Sequence, residues 1–275
     1  MGSAAMMRSI AYQMRLHYRS QRLRVVVCVL IVVLLGLDCV ISHLVASGYE
    51  GSTVEDVSYG YVYSFGGRIG YIVPLAVASL IVTSEYQSGQ IARSIVILRG
   101  RGRAFAANVV AATLAGSVLG AFFATLAHLV SGAMFALNSQ DPRLATSRHL
   151  AMYSGILALG VLWSAIGAGL AWLVRNQTAV IGGVLAFAIF IEPTISAAGN
   201  ADPSVMRIVK WLPGPLNWAV SWPAGVGQET TRRAIGLAPG TALVVLAMYA
   251  GLFLVLSWIL MRDRLGFSRG STIAQ

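Results

Sequence analysis

Residues 104–140 read AFAANVVAATLAGSVLGAFFATLAHLVSGAMFALNSQ, with no Asp, Glu, Lys or Arg among them. A helix needs about 20 mostly apolar residues to cross a bilayer, so this run has length to spare. Residues 149–174 and 234–261 are equally free of charge. Residues 25–49 contain only Asp38, and 176–191 are clean up to Glu192. Residues 69–84 are clean but short, so that span is expected to begin near Ser64 and to carry Arg68 at its outer rim. The runs together predict an all-α membrane protein with six transmembrane helices, at about 25–45, 64–84, 106–134, 150–173, 177–197 and 241–261.

Composition agrees. The chain is 57% hydrophobic and 11% charged, with mean hydropathy +0.73, where soluble domains carry about 25% charge. The net charge of +10 therefore reflects scarce charges dominated by arginine, with Lys210 the one lysine. A P-loop needs its lysine after a glycine-rich turn. Lys210 sits in RIVKWLP, so no ATPase is expected in this chain. Cys28 and Cys39 share one apolar run, roughly 16 Å apart along a helix, too far to bond to each other.

Arginine sets the orientation. With the N-terminus inside, the inner segments hold Arg8, Arg15, Arg19, Arg22, Arg24, Arg93, Arg99, Arg101, Arg103, Arg175, Arg262, Arg264 and Arg269, against Glu85 and Asp263. The outer segments balance basic and acidic residues. This asymmetry follows the positive-inside rule and places both termini in the cytoplasm. The first apolar run exceeds the 7–15 residues or so of a signal-peptide core and is read as an anchored helix. The whole of 1–275 is read as one transmembrane domain: 1–24 cytoplasmic, 25–197 for helices 1–5, 198–240 outside, and 241–275 for helix 6 and a cytoplasmic tail.

Two stretches outside the spans are themselves apolar on one side. In residues 8–24, Arg8, Arg15, Arg19 and Arg22 fall within about 60° of one another on a helical wheel, beside Ile10, Met14 and Tyr18. A basic amphipathic helix of this kind lies on the anionic inner leaflet, either as a general anchor or as an elbow packed beside a partner. Residues 198–240 carry Trp211, Trp218 and Trp222, divided by Pro213, Pro215 and Pro223. Tryptophan favours interface depth and proline breaks helices. Short helices re-entering the outer leaflet are expected there, an ordered loop being the plainer alternative.

Asp38, His128 and Glu192 lie within spans, where ionisable groups are costly and become functional candidates. Asp38 and His128 fall at similar depth and are expected either to pair or to make structural hydrogen bonds. Small residues at Gly116, Gly120, Gly160, Ser164 and Ala168 have the spacing that lets helices approach closely. No HExxH, no G-x-S-x-G with a partner histidine and no Cys/His cluster of metal-ligand spacing occurs. SYGYVYSFGG lacks the TVGYG pattern of potassium channels. Neither catalytic residues nor a metal site are expected.

The polar stretch 84–103 reads SEYQSGQIARSIVILRGRGR. Its tethering between two spans argues against an arginine–glycine nucleic-acid tail. Ile91, Ile95 and Leu98 share one helical face, suited to a groove on a soluble partner. Arg93 is placed to meet acidic partner residues, and Gly100 and Gly102 to turn the chain back into the bilayer. Arg99, Arg101 and Arg103 satisfy positive-inside alone.

This stretch resembles the segment after the second span in the type-2 permeases of ABC transporters. Glu85 and Gly89 in EYQSGQ, the apolar IARSIVIL and then Arg103 carry the likeness. FIEPTIS (Glu192, Pro193) resembles the end of that family's fifth span, and VKWLPGPLNWA (Leu212, Pro213, Gly214) its re-entrant outer segment. Three positions depart from the pattern: Gln90 stands where Thr is usual, Asn108 where Lys is frequent, and the proline before the third-span arginine is missing.

The resemblance implies a permease subunit of an ATP-driven exporter in the bacterial inner membrane. It would pair with an identical or different permease and with a separate ATPase that carries ATP and Mg. Glu85, Gly89, Ile91, Arg93, Ile95 and Leu98 would then form the coupling helix that receives the ATPase. The cargo would be amphipathic or hydrophobic: a drug, a peptide or a lipid-like molecule. Arginine over lysine, with abundant Ala, Gly and Val, fits a GC-rich bacterial genome, where such permeases often export antibiotics and confer resistance. A non-transport sensor, immunity or scaffold protein and a secondary transporter are the alternatives. The last usually shows repeated halves, which are not evident here.

Overall fold

The computed structural model describes residues 21–48, 56–221 and 237–264. Every regular element among the described residues is helical. In chain order these are α1 (Gln21–Ser47), α2 (Asp56–Tyr63), α3 (Phe65–Arg68), α4 (Ile72–Gln87), α5 (Gln90–Ile97), α6 (Arg101–Leu137), α7 (Ser147–Val174) and α8 (Gln177–Ala186). A π turn at Phe187–Ile191 runs on into α9 (Glu192–Ala201), followed by α10 (Pro203–Val209), α11 (Pro213–Ser221) and α12 (Pro239–Arg264).

Five helices are long and apolar enough to cross a membrane: Val25–Ser47, Arg101–Leu137, Ser147–Val174, Gln177–Gly199 and Pro239–Arg262. They match the expected spans 1, 3, 4, 5 and 6 within a few residues and fit a multi-pass transmembrane protein. The expected second span is corrected. Residues 64–84 form no single helix but α3, a turn at 69–71, and the 16-residue α4. Pro74 explains the break. It lacks an N–H, so it sits without penalty only in a first turn, and α4 accordingly starts at Ile72. The backbone just before it is pressed against its neighbours. A Cβ on Gly67 would lie 2.3 Å from Ser221, and one on Gly70 would lie 2.4 Å from Phe123.

Local chemistry sets the other boundaries. Thr146 Oγ1 accepts from the His149 N–H at 3.2 Å and starts α7, while Asn176 Oδ1 accepts from the Ala179 N–H at 3.2 Å and starts α8. Both are preferred N-cap residues. Between them Arg175 takes a left-handed φ of 57° and ends α7.

The core forms around α4, whose residues Val73–Thr83 are all buried. It is apolar on every side, as a fully enclosed helix should be. Gly116 and Gly120 on α6 admit it closely, since Cβ atoms there would lie 2.6 Å from the Pro74 carbonyl and 2.9 Å from its ring. Gly167 on α7 does the same against Leu75 at 2.5 Å, and Ser164 and Ala168 are fully buried beside it. Gly160, expected at such a contact, has nothing within 4 Å of a Cβ. The outer faces of α1, α6 and α12 expose Val32, Val33, Leu44, Val118, Phe122, Met248 and Leu252.

Val27, Val82, Trp172 and Met261 belong to one buried cluster. The start of α1 and the ends of α4, α7 and α12 therefore lie together. Phe105 meets Trp258 with ring centroids 5.6 Å apart, and the Arg175 guanidinium lies 4.9 Å over the Tyr86 ring. Arg93, Arg99, Arg101, Arg103, Arg175 and Arg262 thus gather at one end of the bundle. Arg8, Arg15 and Arg19 of the expected elbow lie outside the described residues. Arg22 falls within the backbone of α1.

Candidate functional site

At the end opposite those arginines lies a cleft of about 660 Å³. Ile69, Tyr71 and Ile72 form one wall, and Leu185, Ala188, Ile189 and Pro193 a second. Met206, Val209, Pro215 and Trp218 supply a third. Three charged residues line it: Arg68, Glu192 and Lys210.

Glu192 is buried and committed. Its Oε1 accepts a 2.5 Å hydrogen bond from the Gly214 N–H. Gly214 follows Pro213 in the first turn of α11, where N–H groups lack helical partners and the helix dipole favours an anion. The carboxylate thus caps α11 from 22 residues away. Asp202 does the same locally for α10, accepting from the Ser204 N–H at 2.8 Å. That bond, with the Ser204 hydroxyl, holds the Asp202 carboxyl below its ordinary value.

The two cations are held by rings. The Arg68 guanidinium lies 3.9 Å from the Tyr61 centroid and 5.0 Å from that of Trp218. Its Nε is buried without a hydrogen-bond partner among the described residues. Lys210 Nζ lies 5.1 Å over Trp211. Such stacking supports a cation without neutralising it. α11 is anchored by Trp163 on α7, whose Nε1–H donates to Asn217 Oδ1 at 2.8 Å, and residue 211 by the Tyr249 hydroxyl on its carbonyl at 2.8 Å. Trp222 lies outside the described residues.

Of the two arrangements expected for Asp38 and His128, the structure shows structural hydrogen bonds and not a pair. Asp38 Oδ2 accepts from Ser131 Oγ, which also receives the Ser42 hydroxyl, each at 3.1 Å. The His128 Nδ1–H donates to the Ala124 carbonyl at 2.8 Å. Its ring packs among Tyr63, His149 and Tyr153, with centroids 4.9–5.6 Å away. Asp38 is thus engaged from α6 by Ser131, and His128 bonds the carbonyl one turn back on its own helix. The Tyr63 hydroxyl donates to the Pro142 carbonyl at 2.7 Å. Burial above all, with Tyr59, Asp38 and Asp141 adding, pushes that hydroxyl up and keeps it a donor.

At the arginine end, Glu85 is buried at 1% exposure and closes α4. Gly89 takes the left-handed φ of 67° that starts α5, a conformation glycine adopts freely. The face of α5 expected to meet a partner is the inner one. Ile91 packs on the central core, and Ile95 packs with Leu98, Ala104 and Ala107. Arg93, Val96 and Ile97 face outward, the last two at 76% and 56% exposure. The return into α6 also differs from expectation. Arg99 takes the left-handed φ of 51° and Gly100 is extended. Gly102 lies in the helix, where a Cβ would come 2.9 Å from Trp258.

Of the cleft residues the sequence singles out Glu192 and Trp218, gives Arg68 only as a rim charge, and does not mark Tyr71 and Lys210, or Tyr61 beneath Arg68, as their neighbours. The available signal was an arginine closing the aromatic run YGYVYSFGGR. Comparison with known protein families and with curated proteins returns no match.

Proposed function

We propose that this chain is the permease subunit of an ATP-driven ABC exporter in a bacterial inner membrane, moving an amphipathic or hydrophobic substrate outward. It would work with a second permease subunit and with a separate ATPase that carries ATP and Mg. The observation that supports this reading best is α5: eight residues between the buried α4 and the long apolar α6, at the arginine-rich end, presenting Val96 and Ile97 beside Arg93. A loop with no partner has little reason to expose two large aliphatic residues beside a cation, whereas a groove on a soluble subunit would cover them. Ile95 and Leu98, packed on α6, would pass a push on α5 to the membrane helices.

Purification of the tagged chain from its own cells in mild detergent tests this. Recovery of a P-loop ATPase whose hydrolysis this subunit stimulates supports the reading. Recovery of the intact chain without any nucleotide-binding subunit overturns it.

A further inference from the structure

We infer that the outer cleft binds a single-chain or drug-sized amphiphile carrying an acidic headgroup, with the acid on Arg68 and Lys210 and the apolar body along Ile69, Ile189 and Val209. As the identity of a cargo this rests on the permease reading, whereas the binding itself does not.

Charge carries the argument. Of the three charged residues in the cleft, the one anion is already used: Glu192 holds Gly214. Among the described residues no carboxylate pairs with Arg68 or Lys210, whose contacts are with aromatic rings. Tyr61 and Trp218 fix the Arg68 guanidinium in place before any ligand arrives. The buried, unpartnered Nε shows a donor already withdrawn from solvent. A guanidinium in this state gains most from an acidic oxygen, which forms short charge-assisted hydrogen bonds. A cationic or neutral amphiphile would leave it unmatched. The remaining lining is aliphatic and aromatic, and the volume lies within the roughly 300–1,000 Å³ typical of small-ligand sites.

Binding is measured on the purified chain alone, in a non-ionic detergent, through quenching of tryptophan fluorescence by dodecyl phosphate with a brominated chain. Dodecylphosphocholine and dodecyltrimethylammonium with the same brominated chain serve as comparisons. Dodecyl phosphate is expected to bind saturably and more tightly than either, with affinity falling as salt rises. Arg68→Gln should weaken it about tenfold or more, the value of a lost charge-assisted bond. Lys210→Glu, at a site less involved in packing, should weaken it in the same direction with the fold intact. Equal binding of the three headgroups, or unchanged affinity in a folded Lys210→Glu or Arg68→Gln protein, overturns the proposal. So does displacement of dodecyl phosphate by phosphatidylglycerol at lower concentration than by unbrominated dodecyl phosphate, since the site would then belong to a bilayer lipid. None of these failures affects ATPase association, so the permease reading is judged separately.

Discussion

Glu192 and Gly214 touch: a carboxylate on a helix long enough to cross a membrane receives the backbone N–H at the start of the short helix α11, 2.5 Å away. Any side chain at residue 214 would begin 2.5 Å from Glu192 Oε1. Gly214→Ala should therefore separate the two groups and destabilise the protein by about 1–3 kcal/mol, the usual cost of overpacking. Glu192→Ala should cost about as much, through the lost charged hydrogen bond. Because both changes break one contact, the double variant should lose less than the sum. Thermal unfolding in detergent measures all three, and strict additivity would refute the coupling.

The two faces of α5 give opposite expectations. Val96→Asp and Ile97→Asp place charge on an exposed surface and should leave the melting temperature nearly unchanged while, on the proposed function, abolishing association with the proposed ATPase. Ile95→Asp puts a carboxylate against Leu98 and Ala104 and should lower the melting temperature in the chain alone. If the exposed pair proves indifferent in pull-down, α5 is not the docking element.

The glycines of the core separate by their surroundings. Gly116→Ala and Gly167→Ala drive a methyl into the backbone of α4, at 2.6 and 2.5 Å, where nothing yields easily. Both should reduce the yield of folded protein and cost about 1–3 kcal/mol. Gly160→Ala meets open space and should be neutral or slightly stabilising, since alanine favours helix. Size-exclusion profiles after mild heating would rank the three, and a damaging Gly160→Ala would contradict this packing.

Trp172 Nε1 donates to Asn108 Oδ1 at 2.9 Å, joining α7 to α6. Within a membrane such bonds average about 0.6 kcal/mol and rarely exceed about 1.7. A double-mutant cycle of Asn108→Ala with Trp172→Phe should give a coupling in that range. A value near zero would mean that the pair merely packs.

The spans were legible because charge is so rare that each gap between charged residues marks a helix. The second span was not, since counting apolar residues ignores where a proline is tolerated. At Pro74 that decides where α4 begins. The elements of the cleft were legible in part: Glu192 and Trp218 stand out as an acid within a span and an interface aromatic, and Pro213 marks the start of the helix that carries Trp218. Their meeting was not, because the partner of Glu192 is the backbone of Gly214, and a backbone N–H has no signature in sequence. Helical periodicity placed Ile91, Ile95 and Leu98 on one side of α5. Periodicity gives a face but not its direction, and the neighbours that claim it, Ala104 and Ala107, belong to the next helix.

The π turn at Phe187–Ile191 sits immediately before Glu192. Its i→i+5 bonding fits one residue more into the turn than an α-helix does. Each residue advances a helix by about 100°. Glu192 therefore points a quarter-turn or more away from where an unbroken helix would carry it. Rewinding these five residues as plain α-helix would leave the composition of the span unaltered, yet swing the carboxylate off α11, whereas deleting one of them would restore an α turn with Glu192 still on its bearing. The aim of the carboxylate is therefore set by how this turn is wound, a property that neither the composition nor the hydropathy of the span records.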